Sequence, residues 1–213
     1  MGPDTPSRVI SADIESDHRV VGLLQVLSVG VVDVDDPSSE FYVEIQAKIP
    51  DYLGSEDNLG ALEVCYPAFS WASSDPITAD PRTEAWCKQF YERHNDHALP
   101  SDVATTLLRQ WTRDTTPRGT QPVLVAGPAS FDIAPILELF AVNEVRNPFS
   151  FSGICLKTVL WTALGMGSWQ KQRTHNLPAS LTEGLINPNP HNAHADAVYQ
   201  AELYRRAIRI LNG

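Results

Sequence analysis

The chain has 213 residues, 43% of them hydrophobic and 20% charged, with a formal net charge of −10 at pH 7. That mixture suits one globular domain with a substantial core and excludes an intrinsically disordered chain. The acidic excess argues against tight, sequence-independent binding to long DNA, which depends on many Lys and Arg contacts to phosphate.

Residues 9–14 open the chain with a β-prone run. Residues 24–34 are nearly continuous in apolar and β-branched side chains, as in a strand covered on both faces. A turn at 35–39 leads to a third strand, 41–45, antiparallel to the second, so the chain begins as a β-meander. Residues 46–81 carry Pro50, Gly54, Gly60, Pro67, Pro76 and Pro81. They read as a loop-rich excursion with one short helix, and Tyr66, Phe69 and Trp71 anchor it to the body rather than stack on a base. Helices are expected over 83–95 and from Ser101 or Asp102, as cap after Pro100, to about Arg113. Residues 123–126 form a short buried strand, followed by a helix near 133–140. Residues 149–151 read as a further strand and 155–164 as a helix. Residues 165–190 are loop-rich, with a helical turn around Leu181, and the last helix covers 192–211. Strands first, then strand and helix mixed, give an α/β fold with a mixed central sheet flanked by helices, in a single domain over 1–213.

Cys65, Cys87 and Cys155 are odd in number and far apart, which supports neither a disulfide framework nor a zinc knuckle. A cytoplasmic, reducing setting fits them. No apolar run reaches the ~20 residues of a membrane-spanning helix, and the first eight residues hold no signal-peptide core.

The chemistry gathers at acids. Asp13 and Glu15 lie two apart near the end of the first strand, so their side chains share a face. Two carboxylates that close repel unless one is protonated or a hard cation such as Mg²⁺ neutralises them. Asp132 follows the 123–126 strand at a helix start, where a carboxylate is favoured by the helix dipole. Near the C-terminus, Pro188 and Pro190 hold the approach extended and Asn192 caps a helix, with His191 just outside it and Asp196 in its first turns. A histidine beside a fixed aspartate suits a general base next to a metal ligand. His194, two residues before Asp196, reads as structural.

Asp13-Ile14-Glu15, then Ser130-Phe131-Asp132, then His191-x-x-x-x-Asp196 resembles the DEDDh family of 3′–5′ exonucleases, on the ribonuclease H-like fold. The resemblance runs from Arg8 to about Leu211. Asp80 to Trp86, and Pro148 to Phe151 before Leu156 to Leu160, also resemble a bacterial and phage exoribonuclease-like branch. Two departures stand out: a long interval between Glu15 and Asp132, and Ser16 where the family commonly has Thr.

The resemblance implies two divalent ions, Mg²⁺ or Mn²⁺. Asp13 would bridge them, Glu15 and Asp196 would complete one site, and Asp132 would serve the other. His191 is the expected general base, Ser16 the seat of the terminal 3′-hydroxyl, and Phe131 or Leu24 the packing surface for the terminal base. The expected reaction releases nucleoside 5′-monophosphates from short single-stranded RNA or DNA, RNA being slightly favoured, and the expected assembly is a homodimer. The competing readings are a non-catalytic module that binds nucleic acid or protein, and a glycosidase using Asp13 and Glu15 at a barrel strand end.

Overall fold

A computed structural model describes residues 8–165 and 177–213. The meander forms as expected: β1 (Val9–Ser16), β2 (Val26–Asp33) and β3 (Glu40–Glu44) pair antiparallel in succession. β4 (Val123–Ala126) adds parallel to the other side of β1, and β5 (Ile154–Cys155) adds parallel to β4. The result is an open, mixed five-stranded sheet in the order β3-β2-β1-β4-β5. An open sheet of this size is no (β/α)₈ barrel, which sets the glycosidase reading aside.

Both faces of the sheet are covered, and every residue of β2 is buried. On one face Ile10, Ala12, Ile14, Val29 and Val31 pack against α3 (Ser101–Thr115) and α4 (Ala129–Val142) through Leu108, Ile136 and Phe140. On the other face Val32 and Val125 pack against α5 (Leu156–Ala163) and α7 (Ala193–Leu211) through Leu160, Ala197, Ala201 and Leu203. The two-residue alternation of β1 therefore sends its aliphatic side chains to the α3/α4 layer, and Asp13 and Glu15 to the α7 side.

The excursion is more ordered than its composition suggests. It holds a ten-residue helix, α1 (Glu56–Cys65), capped by the Ser55 hydroxyl, which accepts from the Asn58 N–H. A 3₁₀ turn (Tyr66–Ala68) follows. Phe69 and Trp71 are buried and pack with Phe90 of α2 (Glu84–His97), so these aromatics do anchor the segment. The short helix expected here is thus present, its bounds blurred in the sequence by glycine and proline, and tertiary burial of Leu62 and Cys65 supplies the stabilisation.

Three other expectations are corrected. No strand forms at 149–151; Phe149 instead fills the core against Phe140, Phe151 is exposed, and the edge strand lies at Ile154–Cys155. Neither Ser101 nor Asp102 caps α3: Pro100 occupies the cap position, and the Ser101 hydroxyl accepts from Asn143. Helix α4 begins four residues earlier than expected, which sets Asp132 in its first turn. Among the described residues, which include the four-residue α6 (Ala179–Thr182), no helix is long and apolar enough to cross a membrane.

Candidate active site

The acids converge because three elements end or begin at one place. β1 delivers Asp13 and Glu15 near its C-terminal end, where its register with β2 slips between Glu15 and Ser16. Such a bulge bends the strand and re-aims the side chains beside it. β4 runs parallel to β1, so the loop leaving its end brings the first turn of α4, with Asp132, to the same edge. α7 crosses that face and brings in Asp196.

The crossing is close, and Gly30 permits it. Gly30 lies opposite Asp13 in the β1–β2 ladder, and a Cβ built on it would sit 2.3 Å from the backbone of Ala193 and His194. Only a glycine lets the first turn of α7 rest on β2, which sets Asp196 near Asp13.

The charges register this crowding. Burial, then the charges of Asp132, Glu15 and Asp196, push the Asp13 carboxyl well above the ordinary range. Burial, then Asp196 and Asp132, push Glu15 up to about 9. Burial also raises Asp132 to about 7, although the Ile14 backbone and the Lys157 ammonium pull it down. Asp196 is raised by burial as well, with the hydrogen bonds from the His191 backbone and the Asn187 side chain opposing.

Such a set either holds protons or gathers cations. Two observations fit a divalent metal. Asp132 Oδ2 is buried with no hydrogen-bond partner, and Glu15, His191 and Asp196 each offer a ligand atom within 4.8 Å of the others.

His191 is exposed and holds a left-handed φ of 65°, which turns the chain into α7. Its backbone N–H donates to Asp196 Oδ2 at 2.9 Å, and the Asn187 side-chain amide donates to Asp196 Oδ1. His194 lies away from this group, with Nε2 2.9 Å from Glu40 Oε2. Ser16 donates its hydroxyl to the His18 carbonyl and, with Phe131, lines a cavity of about 140 Å³ beside Glu15. Leu24 is not in that wall and packs instead against the core beneath.

Sequence reasoning missed several residues. Gln200 donates from Nε2 to Asp13 Oδ1 at 2.6 Å. It lies four residues after Asp196, on the same helix face, and that spacing was the available signal. Asn187 and Lys157 left no such signal, since the fold alone brings them close. Asp17 was also missed. It is fully buried and accepts from the Tyr52 and Tyr91 hydroxyls and from the Gln25 side chain. It thereby ties the loop after β1 to the excursion and to α2.

No family model matches the chain. A curated relative from Escherichia coli, the 3′-5′ DNA exonuclease Cap18, is 24% identical over 196 residues, covering 92% of this chain and 89% of the relative. Among solved structures, the nuclease domain of 3′hExo, a DEDDh family member bound to rAMP, superposes with a TM-score of 0.63 at 12% identity, covering 99% of this chain and 94% of that one. E. coli exonuclease I in complex with a dT13 oligonucleotide superposes with a TM-score of 0.60 at 14% identity, covering 96% of this chain and 41% of that one. These structures show the ribonuclease H-like fold. In fold and in sequence relative alike, the resemblance read from the motifs is borne out: this chain is similar to the DEDDh 3′–5′ exonucleases.

Proposed function

We propose that this chain is a divalent-metal-dependent 3′–5′ exonuclease that removes nucleoside 5′-monophosphates from single-stranded nucleic acid. The observation that carries the reading is the convergence of four carboxyl groups from β1, α4 and α7, one with a buried, unpartnered oxygen, next to His191. A binding module gains nothing from burying four acids together, because their mutual repulsion opposes both folding and phosphate binding.

Asp13, Glu15, Asp132 and Asp196 would hold two Mg²⁺ or Mn²⁺ ions, whose charge activates water and stabilises the reacting phosphate. His191 would take the proton of the attacking water on a ring nitrogen, a role supported by its exposed side chain and by its nearness to Glu15 and Asp196. The water oxygen bonds to phosphorus, the P–O bond to the 3′-oxygen of the preceding nucleotide breaks, that oxygen takes a proton from solvent, and the terminal nucleotide leaves as its 5′-monophosphate. Gln200 fixes one Asp13 oxygen, and Asn187 with the His191 N–H fixes Asp196, so the acids keep their orientation. Ser16, whose proton goes to the His18 carbonyl, offers lone pairs to the terminal 3′-hydroxyl. Phe131 or Leu24 would give the terminal base an apolar surface, and the place of Phe131 in the cavity beside Glu15 favours it.

The sugar is the finer part of the proposal. The acidic surface favours short RNA, while the sequence relative is a DNA exonuclease by name. The proposal also takes 1–213 as one exonuclease domain, a homodimeric assembly, and a cytoplasmic setting suited to three free cysteines; light scattering on the purified protein tests the dimer. The deciding experiment incubates 5′-labelled single-stranded RNA and DNA of one sequence with protein in Mg²⁺, Mn²⁺ or EDTA. A ladder shortening from the 3′ end, absent in EDTA and in Asp196→Ala, is expected. Intact substrate in both metals would leave only the binding-module reading.

A further inference from the structure

A second cavity, of about 760 Å³, opens at the far end of β4 from the acids. Its walls are the end of α3, the segment 116–122 that enters β4, and residues 146–148. Arg109, Arg113, Arg118 and Arg146 line it, against one acid, Asp114. That is a strongly basic wall in a chain of net charge −10. Elsewhere Arg8, Arg82, Arg93, Arg205, Arg206 and Arg209 each pair with a carboxylate. Among the described residues these four, and Arg19 outside the cavity, have no such partner. Arg109 and Arg113 also stand one turn apart on α3, where like charges repel.

Unpaired guanidiniums around a polar cavity are matched to phosphate oxygens, which accept their forked N–H groups. No aromatic side chain lines the cavity, so nothing there stacks on a base. The recognition is therefore of phosphate without base identity. We propose that this cavity holds the phosphate backbone of the nucleic-acid strand upstream of its 3′ end, an inference that rests on the exonuclease reading for the placement of that end. The cavity precedes Val123 and the acids lie beyond Ala126, so the two sites are separated by at least the length of β4, about 13 Å. A stacked strand rises about 3.4 Å per nucleotide, so at least about four nucleotides separate the acids from the arginines and only longer strands reach them. Concentrating the basic charge here gives an acidic protein a hold on a polyanion without a basic surface.

The test compares Arg113→Ala/Arg118→Ala with a pair matched in charge loss, Lys88→Ala/Arg209→Ala, all four side chains being exposed. Anisotropy titrations in EDTA, where no cleavage is expected, use a labelled single-stranded DNA of about twenty nucleotides over a series of salt concentrations. The arginine pair is expected to bind about tenfold more weakly, with a salt slope shallower by about 0.7 per lost phosphate contact. The control pair is expected to bind as the unmodified protein does. Equal loss in both pairs, or no loss at the arginine pair, overturns the proposal. Inorganic tripolyphosphate distinguishes the other source of phosphate: displacement only at large excess supports a strand site, and displacement at concentrations matching the DNA overturns it in favour of a small polyphosphate. Circular dichroism confirms that both pairs fold. If the protein shortens no substrate, the exonuclease reading fails by itself, and the binding comparison still decides the role of the arginines.

Discussion

At Asp132 a buried carboxyl has one oxygen without a partner, and its pKa is raised to about 7. Without metal this is a cost, because the charged form is neither solvated nor paired. Asp132→Asn is therefore expected to raise stability in EDTA at pH 8 by roughly 1–3 kcal/mol, read by urea denaturation, while lowering kcat on the order of 10³-fold. A stability loss would mean that the carboxylate serves packing rather than cation binding. Gln200 gives a gentler test. Its amide holds Asp13 Oδ1, so Gln200→Ala should raise the Mg²⁺ concentration for half-maximal rate roughly 10–100-fold, with most of kcat recovered at saturating metal. An unchanged metal titration would reduce Gln200 to packing. The five motif residues stood out in the chain through their resemblance to the DEDDh pattern, while strand periodicity alone showed only that Asp13 and Glu15 share a face. Gln200 was legible in principle through its spacing from Asp196. Lys157 and Asp17 were not, because Asp132, Tyr52 and Tyr91 lie on distant parts of the chain, and Asn187 was not, because it stands nine residues before Asp196 with no regular element between them to align the two.

Among the elements, α7 decides whether the site exists. Its first turn lies on Gly30, and Asn192 caps it by accepting from the Ala195 N–H while donating to the Ala68 carbonyl of the excursion. Gly30→Val would drive a side chain into the Ala193 backbone. The expected result is a stability loss of about 3 kcal/mol or more, with activity lost even where the fold survives at low temperature, because Asp196 moves off Asp13. Thermal unfolding followed beside the nuclease assay separates the two effects, and full activity in that variant would show that α7 tolerates a shift. The same scale holds the failures of sequence reading. The short helix expected in the excursion forms as α1, but its bounds were not readable, and a further strand was expected at 149–151 where Phe149 instead fills the core. A two-residue strand such as β5 has too few side chains to show alternation, and its partner β4 defines it.

For the whole molecule, the four raised carboxyl pKa values link pH to stability. Between the ordinary carboxylate range near 4 and the raised values of about 7 and 9, the folded protein holds protons that the unfolded chain has released. Metal-free stability is therefore fully present below about pH 4, as far as these groups are concerned, and falls as pH rises toward 9. Tm in EDTA should decline across this interval, and Mg²⁺ or Mn²⁺ should raise Tm most at the alkaline end, where the acids are ready to bind it. Scanning calorimetry over pH 5–9 with and without metal checks this, and a Tm in EDTA that rises with pH would refute it. By itself the sequence determined the meander, the mixed α/β layering and the shared face of Asp13 and Glu15. Those depend on local periodicity and on spacing along single elements. Only the tertiary structure decided how close the acids come, because that distance is set by a glycine on β2 that admits α7. It alone also gathered arginines from α3 and two loops into one cavity, since no local pattern in the chain encodes their meeting.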